Sequence, residues 1–201
     1  NGHLESFGIK PGRLMHIMLN ACMTEELPPG MIRALGGQEC WGLTPADPMG
    51  TTVRRIGPAQ GGNRIVIRQG GYYRPGMQTS ARDLARLTSQ MRQKFDARFP
   101  MLAGVRFEHA WSGHLCLSKN GVSVMRQLEP GLFAACVDNG LGTTRSTLTG
   151  IGAAELALGQ TSAITDFFLA EAEPARLPPH PLDTIGANAY MRWKEWQSRL
   201  E

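Results

Sequence analysis

No run of apolar residues in the sequence approaches the length of a membrane span, so a bilayer is not an expected partner. A basic-then-apolar leader is missing too. The chain begins Asn1-Gly2-His3, which predicts no secretory signal, and an opening without methionine points to a fragment or a removed tag. Cysteine is sparse. Cys22, Cys40, Cys116 and Cys136 form no C-x-x-C pair and no metal-ligand spacing, which argues against a zinc site. Cys22 and Cys136 lie inside apolar runs, and all four read as reduced thiols of a cytoplasmic protein. The net charge of +4 comes mostly from arginines scattered between Arg54 and Arg98 rather than clustered among aromatics. Nucleic acid is therefore not an expected partner. Repeats and low-complexity tracts are absent as well.

What remains is an ordinary globular composition, 42% hydrophobic and 19% charged, in 201 residues, enough for one large domain or two small ones. Arg13–Met23 reads as a buried strand. Pro28-Pro29-Gly30 breaks it, and Met31–Leu35 has room for a single helical turn. Thr51–Ile56 and Asn63–Arg68 are β-branched strands joined by a glycine-rich hairpin connector, with Gly70-Gly71 closing the second. Ser80 with Asp83 three residues on predicts a helix start. Leu84, Leu87, Met91 and Phe95 then give one apolar face, with solvated arginines elsewhere, until Phe99-Pro100 ends the helix. Val105–Trp111 alternates like a half-buried strand, Ser112-Gly113 follows, and Leu115–Leu117 continues extended. Turns follow at Lys119–Gly121 and Glu129–Gly131. After Gly159 the chain reads as a peripheral, proline-rich tail. A last helix is expected over 187–200, with Tyr190, Trp193 and Trp196 as anchors.

The most informative stretch is Leu132–Thr144. An apolar strand stops at Asp138-Asn139-Gly140-Leu141-Gly142, and Arg145–Leu158 reads as a helix. Strand, glycine turn and helix together put unpaired backbone N–H groups at a helix start, where negative charge is welcome. Glycines at 140 and 142 would let a flat ligand approach the main chain. The same pattern also serves as plain connection chemistry.

Several short segments occur in a telling order: Trp111-Ser112-Gly113, the Asn120-Gly121 turn, Leu128–Phe133, Asn139-Gly-Leu-Gly142, and a helix containing Gly152-Ala-Ala-Glu-Leu-Ala157. This order resembles the C-terminal half of the D-amino-acid oxidase-like family of FAD-dependent oxidoreductases. Within it, the gamma-glutamylputrescine oxidase and glycine/sarcosine oxidase branch looks closest. Asn1-Gly2 is similar to the end of the family's Thr-Asn-Gly turn, and Arg64–Gly71 to its strand ending in paired glycines. The chain departs from the family at Val137 and Leu141, which stand where a glycine and a histidine are usual, and at Ser118-Lys119-Asn120-Gly121, where Thr-Pro-Asp-Gly is usual. The family's Gly-x-Gly-x-x-Gly phosphate fingerprint does not occur, so the chain looks like the latter part of a longer polypeptide whose N-terminal half would be its partner.

The resemblance implies an α+β fold: a mixed, largely antiparallel substrate-domain sheet with a covering helix, plus a strand-helix remnant of an FAD-binding domain. The expected division is 1–10 as the end of an FAD-domain segment, 11–104 as the substrate-binding domain, 105–160 as the C-terminal part of the FAD domain, and 161–201 as a tail and helix. The implied reaction is oxidation of a small amine or amino acid by hydride transfer to flavin. Gly113 holds the place where the sarcosine-oxidase branch tethers flavin through cysteine, so non-covalent FAD is expected.

Asn139, Gly140, Leu141, Gly142 and Thr143 would then contact the cofactor, together with Gly113 and Trp111, whose ring would wall the flavin or pack in a core. His114 would be a base or polar contact, against a hydrogen-bonded structural role. Trp41, Arg54 and Tyr72 or Tyr73 are the candidates for substrate, the arginine as a carboxylate fork. The competing reading is a non-catalytic ligand- or partner-binding module derived from this fold. Apolar surface left by an absent half predicts self-association.

Overall fold

The computed structural model describes residues 2–47 and 49–199. Asn1 of the expected opening turn, and Leu200 and Glu201 at the end of the expected last helix and tail, lie outside the described residues. The fold is α+β. In order come β1 (Leu14–Thr24), α1 (Pro29–Leu35), β2 (Trp41–Leu43), β3 (Thr52–Ile56), β4 (Arg64–Tyr73), α2 (Ala81–Arg98), β5 (Phe107–Ser118), β6 (Val124–Glu129), β7 (Leu132–Cys136), α3 (Thr147–Ala157), α4 (Ala163–Ala170) and α5 (Leu182–Gln197). One sheet has the strand order β2-β3-β4-β1-β5, and β6-β7 forms a separate hairpin. The β2–β3, β3–β4 and β6–β7 pairs are antiparallel.

The chain divides into two compact units. Unit 1 joins the chain up to Ile17 with Tyr73–Met77 and His114–Ala187. Unit 2 joins Met18–Tyr72, Gln78–Gly113 and the chain from Asn188 onward.

Unit 2 is built by α2 on a sheet. Ser80 Oγ accepts from the Asp83 amide at 3.0 Å, which satisfies one of the orphan donors that every helix start carries. Leu87, Met91 and Phe95 fall on one stripe and are buried, Met91 and Phe95 against Cys22, Val53, Ile65 and Ile67. Phe99, before Pro100, ends the helix. Arg92 departs from the expected solvated state. Its guanidinium lies 4.5 Å from the Phe95 ring centroid and 4.6 Å from that of Phe107, and it donates to Val105 O at 2.7 Å. A planar, weakly hydrated cation stacks on aromatic faces more readily than it stays in water.

The strand end expected at Gly70-Gly71 is absent. Gly70 takes φ +72° and kinks β4 without ending it, so the strand runs on to Tyr73. β5 passes through Ser112-Gly113 unbroken to Ser118. The aromatic anchors expected of the last helix are also not anchors. Met191 is its buried residue, while Tyr190, Trp193 and Trp196 are at least half exposed, because their three-residue spacing lies on a different stripe.

Unit 1 centres on the β6–β7 hairpin with α3 across it. Val124, Ala134, Val137, Cys116, Leu14 and Leu4 form its core. α3 sits close because Gly152 has no side chain; a Cβ there would lie 3.3 Å from Met125. Burial pushes the Cys116 thiol up to about 12, so this cysteine packs as an inert hydrophobe. Beyond Gly159 the sequence predicted only a peripheral tail, yet α4 forms there under a Ser162–Thr165 capping box. The next segment is held firmly. Glu171 accepts from the Ser123 amide at 2.8 Å and pairs with Arg145, Glu173 pairs with Lys10 and Arg126, and Leu177 N donates to Gly12 O at 2.9 Å.

Truncation at the centre of unit 2 is the larger perturbation. Phe95→Ala is expected to cost about 3–5 kcal/mol, read as a lower urea midpoint. Glu173 gives a pH signature. The Lys10 hydrogen bond foremost, with the charge of Arg126, holds its carboxyl below the usual range. That stabilisation is therefore present above the unfolded carboxylate value and is lost as pH falls through the folded one. Glu173→Gln should destabilise at about pH 7 by no more than about 1 kcal/mol, given the exposure of the pair, and the gap should close as pH falls through the folded carboxyl's lowered value. A gap that widens in acid would contradict the ion pairs.

Candidate functional site

In unit 1, the turn after β7 is made by a run of unusual backbone. Val137, Asn139 and Gly140 all take positive φ, at 66°, 53° and 81°. Asn139 locks this turn. Its Oδ1 accepts from the Ser118 amide at 2.8 Å and from Ser118 Oγ, and its Nδ2 donates to Val122 O at 3.0 Å and Val137 O at 3.2 Å. The Asn139 side chain is thus fully engaged within the protein.

A π-type turn, Gly142–Ser146, then leads into α3. Asp138 sits at its mouth. It accepts from the Gly140 amide through Oδ1 at 3.1 Å and from the Leu141 amide through its carbonyl at 3.0 Å. The Gly142 and Thr143 amides follow at the helix start, where the first N–H groups have no intrahelical acceptor. Of the four amides singled out from the sequence, two are therefore turned to Asp138. Leu141 and Thr143 are exposed, and the space beside Gly140 is bounded within 4 Å by Leu115 Cδ1 alone, at 3.9 Å.

His114, on the part of β5 in unit 1, has a buried Nε2 without a hydrogen-bond partner among the described residues. Burial, and then the nearby His16 and His3, push its ring below the ordinary histidine value. It is neutral near neutral pH, with one ring nitrogen idle. His16 is tied down, its Nε2 2.9 Å from Gly2 O. Gly2 must be glycine, because a Cβ would stand 2.8 Å from Met77 Sδ and 3.0 Å from His16 Cδ2.

In unit 2, strand alternation sorts the remaining candidates. Val53, Arg55, Ile65 and Ile67 point toward α2, so Arg54 and Arg68 point away from it. Arg54 is paired with Val66, and Arg68, one step on, donates to Thr52 Oγ1 at 2.8 Å. Ser112 donates to Asn20 Oδ1 at 2.8 Å on the α2 side, which turns Trp111 and Gly113 to the other face. Trp111 is exposed, and nothing lies within 4 Å of where a Gly113 Cβ would be. Arg54, Arg68, Trp111 and Gly113 therefore share the face away from α2.

Trp41 and Tyr72 do not join them. Trp41 packs against the α2-side core, its ring centroid 6.5 Å from that of Phe99. Tyr72 follows the Gly70 kink and lies with its ring 5.8 Å from the Arg86 guanidinium of α2. Arg68 was missed as a partner of Arg54, although the two-residue period of Arg64–Arg68 carries the signal.

Chemically, the open face offers two guanidinium groups for a carboxylate and an exposed indole for stacking. The helix mouth offers two uncommitted amides to an electron-rich edge, and His114 offers an uncharged ring nitrogen. These donors suit the edge of a flavin ring. The Asp138 carboxylate is the one group there that opposes it.

No curated protein matches the sequence. Among solved structures, the chain is similar to glycine oxidase from Geobacillus kaustophilus, with a TM-score of 0.54 and 19% identity over 80% of this chain and 40% of that one. It also aligns with an L-amino acid deaminase from Proteus vulgaris lacking its specific insertion sequence (TM-score 0.49, 16% identity, 80% and 36% covered). A third alignment is to glycine oxidase from Bacillus cereus (TM-score 0.47, 17% identity, 81% and 41% covered). The first likeness is one of fold, and the chain spans about two fifths of the length of these structures. The family of FAD dependent oxidoreductases named DAO matches residues 6–156. With that match across most of its length, the chain belongs to the DAO family of FAD-dependent oxidoreductases.

Proposed function

We propose that this chain is the C-terminal portion of an FAD-dependent enzyme that oxidises a small amine or amino acid, in the glycine/sarcosine and gamma-glutamylputrescine oxidase branch. The dinucleotide-binding half belongs to the same whole protein. The family match over residues 6–156 carries the reading. Glycine oxidase among the aligned structures supports the substrate class. The absent phosphate fingerprint and the exposed Leu148, Ile151, Leu158 and Phe167 of unit 1 support a missing half, or failing that self-association. The domain division follows from the same reading: 11–104 for substrate, 105–160 for the flavin.

Bound FAD supplies the hydride acceptor. Gly142 and Thr143 would present N–H groups to its electron-rich edge, with room left beside Gly140. Asn139 acts by holding the turn, and Leu141 by its exposed side chain. On unit 2, Trp111 offers an exposed indole for stacking. On unit 1, His114 offers an uncharged ring nitrogen for one hydrogen bond. Arg54, with Arg68 beside it, orients the substrate carboxylate, while Trp41 and Tyr72 support the sheet that carries them. Attachment of the flavin is non-covalent because position 113 is glycine rather than cysteine.

A second reading, a non-catalytic ligand- or partner-binding module, is favoured by one observation: the Asp138 carboxylate already occupies the Gly140 amide at the helix mouth.

Gly113→Val in the full-length gene product separates the two. No described residue lies within 4 Å of where a Cβ would be, so folding stability should change by no more than about 0.5 kcal/mol. Flavin content, read from visible absorbance, should fall by about tenfold. Acid precipitation of the wild type should release free flavin. Full flavin occupancy in the variant would sink the assignment of this face, and a colourless wild type would favour the module.

A further inference from the structure

We infer that unit 2 carries a second ligand site, a pocket between α2 and the sheet that takes a small carboxylate. It is separate from the arginine-bearing face and does not rest on the flavin assignment. The pocket has a volume of about 190 Å³ and is lined by Asn20 of β1, Gln69 and Gly70 of β4, Gln90 and Lys94 of α2, and Glu195 of α5. Leu87 and Met91 close its apolar side.

Two observations point to an occupant. Asn20 is 1% exposed and Gln69 5% exposed, and each has a buried amide nitrogen with no partner among the described residues. Buried polar groups are ordinarily matched, so two idle primary amides on one pocket wall ask for an acceptor. Ser112 donates to Asn20 Oδ1, which fixes that atom as the acceptor and leaves Nδ2 as the idle donor.

The second observation is backbone shape. Gly70, at φ +72°, departs from extended backbone beside Gln69, and no described atom lies within 4 Å of its would-be Cβ. The kink opens room where a regular strand would place a side chain.

The charges define the ligand class. Lys94 is the cation on the wall and Glu195 its counter-charge. Burial holds the Lys94 ammonium below its ordinary value, partly offset by Glu195. A carboxylate accepts from Asn20 Nδ2, Gln69 Nε2 and Lys94 Nζ together, which no neutral hydrocarbon does. Glu195 is then free to receive the ammonium of an amino acid. Simple carboxylates and amino acids share this anchor. Glycine binding more tightly than acetate would identify the zwitterion, and equal binding the carboxylate alone.

The test uses the full-length gene product and three probes: acetate, glycine and the neutral isostere acetamide. Thermal stability is followed against ligand concentration, since a ligand that binds the native state raises it by mass action. Acetate and glycine should give saturable upward shifts and acetamide none. Lys94→Met, at a partly exposed position, and Gln69→Met, which keeps the side-chain length, should each weaken the apparent affinity by about tenfold. Because the arginine face is itself proposed to hold a carboxylate, the probes are also compared in Arg54→Met, where the Lys94-dependent part of the saturable shift should remain. No saturable shift in the wild type would mean that the pocket holds water only, and would overturn the proposal. So would a shift that survives Lys94→Met and vanishes in Arg54→Met, which would put the carboxylate on the arginine face instead.

Discussion

The Phe95 ring, fully buried between α2 and the sheet, is the contact on which the arrangement of unit 2 depends. Phe99 and Phe107 pack on it at 5.2 Å and 5.3 Å, and Arg92 covers it. Once α2 is fixed to one side, the two-residue period of each strand decides the rest. Val53, Ile65 and Ile67 go to the helix, and Arg54 and Arg68 must go the other way. Two arginines on one sheet face would be poorly placed in a core, and nothing asks them to be there. Gly70 is the exception. By taking positive φ it lets Tyr72 return to the helix side and opens the pocket beside Gln69.

Unit 1 depends on a different device. Residues 137–140 reverse the chain with three positive φ values, two of them on residues with a Cβ, which the backbone resists unless something holds it. Asn139 supplies that hold by tying the turn to Ser118 at the end of β5 and to Val122 before β6. The helix mouth that follows is thereby set by one side chain rather than by the glycines alone. An asparagine at this place does structural service that an Asn-Gly dipeptide does not announce.

Much of the fold was legible because its periodicities are local. The α2 seam, the Ser80 cap, the β3–β4 hairpin and the turn at Glu129–Gly131 follow from residue type and spacing. The extent of β4 and β5 was not, because glycine within a strand reads the same whether it kinks the strand or ends it. α4 was passed over although Ser162 and Thr165 carry a cap, since the prolines beyond it dominate the reading of that region. The ties of Glu171 and Glu173 join residues far apart in sequence, and no local pattern shows them. For the site, the sequence marked Arg54 but not the registry that sets Arg68 beside it. It grouped Trp41 and Tyr72 with Arg54 without the alternation that parts them.

The departure from the family pattern at the helix mouth is electrostatic as well as steric. A helix start carries the equivalent of about half a positive charge. Here the Asp138 carboxylate, 3.1 Å from the Gly140 amide, offsets part of it. Leu141, where a histidine is usual, adds bulk and no charge. His114 cannot restore the balance, because burial and its histidine neighbours keep it uncharged. An electron-rich ring at this mouth would therefore be held by hydrogen bonds from Gly142 and Thr143 and by shape at Gly140, with little help from net charge. A site of that kind orders a planar ligand more than it stabilises added negative charge on it, which makes the two arginines of the open face the stronger electrostatic feature of the chain.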